Sequence, residues 1–341
     1  MKTVMPKQQE SKHILFASYI LTALALLVVL YEGLLGALFS GLLVYSLVHL
    51  LSPMLEKKIS GPRARLSAVA GLGILVVTAL SLITWGMVSF FRSDAGGIHA
   101  LLQKIADIIE ASRNQIPEWI LAHLPDDADA MREMITTWLR DHAFEAKSFG
   151  EAAGRTAAHL LIGMIIGAMV ALYDTTKYRN SLPLAHALRT RATTLSASFQ
   201  RIVFAQVRIA GINAGLAAIY LLIILPMAGI HLPLSKSLVV ITFFAGLLPV
   251  VGNLISNTVL VIIAMSHSLN TAFGSLLYMM LIHKLEYFLN ARIIGSHIQA
   301  HAWELLIAML VMESVFGLPG VIAAPVFYAY MKRELMDVGL V

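Results

Sequence analysis

Between residues 209 and 330 the chain carries only six charges: Lys236, Lys284, Glu286, Arg292, Glu304 and Glu313. A soluble domain is about one-quarter charged, so a stretch this long and this apolar needs a solvent other than water. Three earlier runs repeat the pattern: 14–30, a second that continues to Leu51 after Tyr31-Glu32-Gly33, and 66–91. Each approaches or exceeds the roughly 20 residues that cross a bilayer. Over 341 residues the chain is 58% apolar and 13% charged, with mean hydropathy +0.78. An ordinary soluble enzyme is excluded, and an integral membrane protein is implied.

Charge sorts the connecting segments into sides. The segment 52–65 sets Lys57, Lys58, Arg63 and Arg65 against Glu56, and 174–208 sets Lys177, Arg179, Arg189, Arg191, Arg201 and Arg208 against Asp174. Such clusters mark the cytoplasmic side, so the net charge of +5 reads as positive-inside bias and not as a nucleic-acid surface. The segment 92–155 holds 11 acidic and 7 basic residues, with breaks at Pro117 and Pro125, and reads as an extracytoplasmic insertion. Within it Ile98, Leu101, Leu102, Ile105, Ile108 and Ile109 recur at helical spacing, as do Met131, Met134, Ile135, Trp138 and Leu139, predicting two amphipathic helices.

A fourth run covers 156–173, and four more cover 209–230, 238–265, 272–290 and 304–330. The predicted fold is all-α and polytopic: about eight transmembrane helices, two of them broken or re-entrant, with both termini cytoplasmic in a bacterial inner membrane. A re-entrant hairpin in place of a full crossing stays open for the last third. The organisation reads as helices 1–3 in 1–91, the insertion in 92–155, helix 4 and a basic cytoplasmic segment in 156–208, a transport core in 209–331 and a tail in 332–341.

Several chemistries are absent. Without cysteine there is no disulfide, thiolate metal site or cysteine nucleophile. No P-loop and no G-x-S-x-G elbow occurs. His297 and His301 have i, i+4 metal spacing, but no Glu or Cys completes a ligand set. The reading is therefore not an enzyme, with no catalytic residue, cofactor or metal, and with energy drawn from a gradient or a separate partner.

Charges inside apolar runs cost on the order of 2.5–3.5 kcal/mol at mid-bilayer, so each needs a reason. Lys236, Arg292 and Glu304 fall near predicted ends and read as interfacial. Lys284 and Glu286 diverge on a helix, whereas His283 and Glu286 are three apart and can share a proton. Glu313 precedes Phe316-Gly317-Leu318-Pro319-Gly320, a break that frees backbone groups, and Pro325 is expected to extend it. The run 238–265 is the counterpart, with Pro249, Gly252 and Asn253 in its middle and Ser256 and Asn257 one turn later. Two interrupted apolar segments meeting near the midplane are the best sequence pointer to a transporter site. Proline kinks that only shape packing are the bland alternative. The pairs Gly163/Gly167 and Gly211/Gly215 read as small-xxx-small packing surfaces.

At these residues the sequence resembles the AI-2E family of membrane transporters, the group of autoinducer-2 exporters and PerM-like permeases. The resemblance rests on 243–263, on Glu286 to Asn290 followed by Arg292 to Gly295, on Phe316 to Gly320, and on Ala323-Ala324-Pro325. Asp174 with Gln206 fits the family's stretch after the fourth span. Asn253, Ala291 and Ala302 stand where the family commonly has proline. The resemblance implies a transporter of small organic signals or a sodium/proton exchanger, and a homo-oligomer, possibly a ring, of identical subunits.

The reading is an efflux permease that moves a small polar or amphipathic metabolite by alternating access. Pro249, Gly252, Pro319, Gly320 and Pro325 shape the broken backbone. Asn253, Ser256, Asn257 and Asn290 offer neutral hydrogen bonds. Glu286 and Glu313 are the coupling or gating carboxylates, and Gln206, Asn213 and Gly317 complete the pathway. Its partners are the lipid bilayer, a small-molecule or ion substrate and other copies of itself. The alternatives are a sodium or proton antiporter using the same carboxylates, and a scaffold whose insertion binds a partner.

Overall fold

A computed structural model describes residues 12–57, 61–92, 130, 133–134, 137, 141, 143–173, 182–232, 234–247, 251–265, 267–298 and 301–340. Regular structure is helical throughout these residues, with no strand among them. Four helical stretches are long and apolar enough to cross a membrane: Lys12–Tyr31, Leu35–Glu56, Glu151–Leu172 and Pro183–Met227. The first amphipathic stretch expected in the insertion, 98–109, lies outside the described residues, as does most of the second.

The chain divides into two compact units, Met1–Leu72 with Thr156–Val203 and Ile294–Val341, and Gly73–Arg155 with Phe204–Ile293. In the first unit, α1 (Lys12–Tyr31) and α2 (Leu35–Glu56) form a tight hairpin across Glu32-Gly33-Leu34. Gly33 takes φ +66°, and the amides of Gly33 and Leu34 donate to the carbonyls of Leu30 and Val29. This is a Schellman turn, which needs a left-handed residue and so selects glycine. Helix α3 (Gly61–Arg92) follows.

Helix α4 (Ala143–Leu172) runs parallel to α2. Gly36 faces Leu160, Gly41 faces Gly163 and Gly167, and Val44 and Val48 pack with Ala171. Residue numbers rise together on both helices, so the start of α2 and the upstream half of α4 point the same way. A Cβ on Gly163 would overlap the Ala37 carbonyl, and one on Gly167 would overlap Gly41. Ser40 Oγ donates to the Leu160 carbonyl across the seam at 2.8 Å. The small-residue reading of Gly163/Gly167 therefore holds, and close backbone approach is its cause. Gly211 and Gly215 instead face open space among the described residues.

Helix α5 (Pro183–Ile219) departs most from expectation. The basic stretch before Ile209 is not a separate segment from 183 onward; it is helical and continuous with the apolar run. Arg189, Arg201 and Arg208 are exposed, whereas Leu195, Phe199 and Ile202 are buried on the opposite stripe. This amphipathicity lets one helix carry both compositions. A π-helical turn, Tyr220–Ile224, then leads into Leu225–Met227. The Leu225 amide donates to the Tyr220 carbonyl, and Pro226, which has no N–H and crowds the carbonyl four residues back, explains the widened turn.

The apolar runs 238–265 and 304–330 are not single kinked spans. The first region contains α6 (Ser235–Gly246) and α7 (Val251–Met265), which pack on each other in the second unit, followed by α8 (Leu269–Ile298). The other contains α9 (Ala302–Phe316) and α10 (Leu318–Asp337), a hairpin in the first unit joined by Gly317 alone. At 15 residues α9 is about 22 Å long, short of the roughly 30 Å hydrocarbon core. Pro325 does not extend the break. It is buried inside α10, which runs on through it.

Directions in the first unit follow from side-chain pairs. Arg191 of α5 meets Glu334 of α10, while Leu195, Phe199 and Ile202 pack with Val326, Ala329 and Tyr330, so α5 and α10 are antiparallel. Tyr19 of α1 reaches Glu334, and Leu30 packs with Ala323. The tip of the α9–α10 hairpin thus lies level with the α1–α2 turn. The start of α1 and the end of α10 share the opposite end.

Candidate functional site

The predicted pathway residues fall into two groups, one in each unit. In the second unit Gln206 and Asn213 lie seven residues apart on one stripe of α5, since seven residues is nearly two helical turns. Gln206 Nε2 donates to the Gly246 carbonyl at 2.8 Å, satisfying a C-terminal carbonyl of α6. Asn213 is 4% exposed, and its Oδ1 has no hydrogen-bond partner among the described residues. Ser256 is buried and Asn257 half-buried on α7.

Gly252 closes the α6–α7 hairpin. Its position for a Cβ coincides with the Ala245 carbonyl oxygen, so any side chain would push the two helices apart. Pro249 lies outside the described residues, as do the side chains of Asn253, Glu286 and Asn290. The core cluster of this unit is aromatic and aliphatic. Tyr220 and Tyr278 stack at 4.1 Å, the Tyr220 hydroxyl bonds Ser275 Oγ at 3.0 Å, and the Tyr278 hydroxyl donates to the Leu216 carbonyl at 3.1 Å. Tyr278 thereby satisfies a carbonyl next to the π turn.

In the first unit the sequence Gly317-Leu318-Pro319-Gly320 makes the α9–α10 turn. Gly317 sits at φ +63°, ψ −146°, a conformation that favours glycine, and its amide donates to the Glu313 carbonyl at 2.7 Å. Its own carbonyl accepts from Gly320 and Val321 and starts α10. Pro319 stands in the first turn, where a missing N–H costs nothing. A Cβ on Gly320 would overlap the Met312 carbonyl. Both hairpins therefore rely on a glycine pressed against a backbone carbonyl of the partner helix. Glu313 is exposed one turn before Gly317, on a stripe with exposed Leu306 and Leu310. It lies toward the hairpin tip and not midway along the layer.

Two polar clusters escaped the sequence reading. Arg191 and Glu334 form a buried ion pair, 7% and 5% exposed, with the guanidinium 4.2 Å from the Tyr19 ring centroid. Arg191 Nε and Glu334 Oε1 have no partner among the described residues. The available signal was spacing: Arg191 lies four and eight residues before Leu195 and Phe199, on the apolar stripe. Glu304 was expected at an interface; it accepts from Lys332 Nζ at 2.7 Å and from the Tyr328 hydroxyl, and caps α9 through the His301 amide. These bonds clamp the open end of the hairpin.

No curated protein and no solved structure matches the chain at a significant level. The family model for AI-2E family transporters matches residues 16–338, nearly the whole length. Together with several helices able to span a membrane, that match makes this a multi-pass membrane transporter. The chain belongs to the AI-2E family of transporters.

Proposed function

We propose that the protein exports a small, uncharged, hydrogen-bonding metabolite or signal across a bacterial inner membrane by alternating access at its two helical hairpins. The observation that carries this reading is the buried amide oxygen of Asn213 in the second unit. Asn213 and Ser256 are buried and Gln206 half-buried, and Asn213 Oδ1 has no hydrogen-bond partner among the described residues. A buried carbonyl without a partner costs about 1–3 kcal/mol, a penalty that a hydroxyl-bearing solute would relieve. Neutral groups also suit readily reversible binding. Gly252 and Gly320 support hairpins that rock as tight units, with Gly317 as a hinge.

The sides follow from charge. Lys57 just past the end of α2, Arg63 and Arg65 at the start of α3, and Arg189 and Arg191 early in α5 gather basic charge at one end of the first unit, so that end is assigned to the cytoplasm, with both termini. Assembly into a ring of identical subunits would cover the exposed apolar stripe of α9. The test is reconstitution in liposomes with candidate hydroxylated solutes under imposed gradients. Efflux lost in Asn213→Leu while ion leak stays unchanged supports export, and unchanged efflux refutes it.

A second reading, ion antiport, draws on Glu313. A carboxylate on an exposed apolar stripe is costly against lipid and cheap against water or an ion. It predicts that Glu313→Gln abolishes pH-dependent sodium or proton flux and spares solute efflux.

A further inference from the structure

The first unit contains a cavity of about 500 Å³ between α1, α2, α4 and α5 that the transport reading does not use. Its walls are apolar over most of their length: Leu34, Ala37, Leu38 and Leu42 from the α1–α2 hairpin face Ile166 and Val170 of α4. From Leu34 to His49 the cavity follows α2 for about 22 Å, more than the roughly 15 Å of hydrocarbon in one leaflet. The close packing of Gly41 on Gly163 and Gly167 forms its floor.

Thr193 and Ser196 add two hydroxyls along α5, and the charged groups gather at one end. Tyr45, His49, Arg65, Tyr173 and Arg189 line it. His49 lies in the last turns of α2, Arg65 in the first turns of α3, Tyr173 just after α4 and Arg189 in the second turn of α5. Four element ends thus bring cationic and hydroxyl groups to the same mouth. No acidic residue lines the cavity among the described residues, and neither Arg65 nor Arg189 forms an ion pair among them. His49 donates from Nδ1 to the Tyr45 carbonyl at 2.9 Å, which turns Nε2 into the ring nitrogen left to meet a ligand.

We propose that this cavity is a binding site for one anionic phospholipid, its acyl chain along α2 and α4 and its phosphate between Arg65 and Arg189. Charge complementarity selects the occupant. Two guanidiniums at the mouth of an apolar slot on the basic side of a membrane protein match a phosphodiester above a hydrocarbon tail. A soluble anion would leave the slot empty, and a neutral amphiphile would leave both arginines unmatched. The site rests on the membrane location of the protein and not on what it transports.

The test uses the full chain in detergent, delipidated and then offered phosphatidylglycerol, phosphatidylcholine with the same chains, or inorganic phosphate. Retained lipid is counted by native mass spectrometry. Phosphatidylglycerol should be retained over phosphatidylcholine by roughly 10-fold to 30-fold, the size expected of two arginines at an anionic headgroup. Arg65→Gln with Arg189→Gln should erase the preference, and Arg65→Lys with Arg189→Lys should restore most of it. Ala192→Phe, which fills the slot from α5, should reduce retention of both lipids. Equal retention of the two lipids by the unmodified chain overturns the proposal and needs no variant. So does inorganic phosphate competing as well as the lipid, which would mark a free-anion site. Low retention of both lipids, with an oligomer that Ala192→Phe dissociates, would assign the slot to a neighbouring copy.

Discussion

Replacing one partner of the Arg191–Glu334 pair should be far more damaging than replacing both. The pair is buried, joins α5 to α10, and receives α1 through Tyr19, whose hydroxyl lies 3.5 Å from Glu334 Oε2. Arg191→Leu strands a carboxylate and Glu334→Leu strands a guanidinium, and breaking a buried pair in this way typically costs about 3–5 kcal/mol. The two losses should differ. A stranded Arg191 still sits over the Tyr19 ring, an interaction worth roughly 1–2 kcal/mol when desolvated, so Glu334→Leu should be the milder single change. Arg191→Leu with Glu334→Leu removes both charges, along with the unpartnered Nε and Oε1, and should cost no more than about 1 kcal/mol. Unfolding by SDS titration from dodecyl maltoside micelles, followed by circular dichroism, reads all three. If the double variant loses as much as the two singles together, the pair is not a coupled buried unit and the antiparallel docking of α5 on α10 is misjudged.

The remaining predictions are briefer. Gly252→Ala and Gly320→Ala each put a methyl onto a carbonyl across a hairpin and should destabilise by at least about 1–3 kcal/mol, whereas Gly211→Ala, facing open space, should be neutral or slightly stabilising; the same titration checks all three. Asn213→Leu should raise stability by on the order of 1 kcal/mol, because it removes an unmatched buried acceptor, so a destabilised variant would point to a structural partner for that side chain. Ser40→Ala should cost about 0.5–1.5 kcal/mol through loss of its bond to Leu160. Single cysteines at Lys57 and Arg189 should label from one side of sealed vesicles and one at Asp127 from the other, since the chain has no cysteine of its own.

What the sequence could show depended on whether the deciding interaction was local. The α1–α2 turn at Gly33 was legible because its glycine and two flanking apolar runs are adjacent in the chain. So were the interruptions near Gly252 and Gly317, since glycine and proline act on their own backbone. Their geometry was not legible. A broken rod and a hairpin share the same residues, and the choice lies in Gly252 meeting Ala245 and Gly320 meeting Met312, contacts between helices that no hydropathy plot contains. The partners of Arg191 and Glu304 were hidden for a related reason. A charge shows in the sequence but its partner does not when the two are far apart: Glu334 lies 143 residues from Arg191 and Lys332 lies 28 from Glu304. This also explains why α5 hid in a basic segment: three of its arginines face outward and the fourth is paired, so the apolar stripe of Leu195, Phe199 and Ile202 packs on α10 as if the charges were absent. Local glycines and prolines set where these helices end, and long-range pairing sets how they pack.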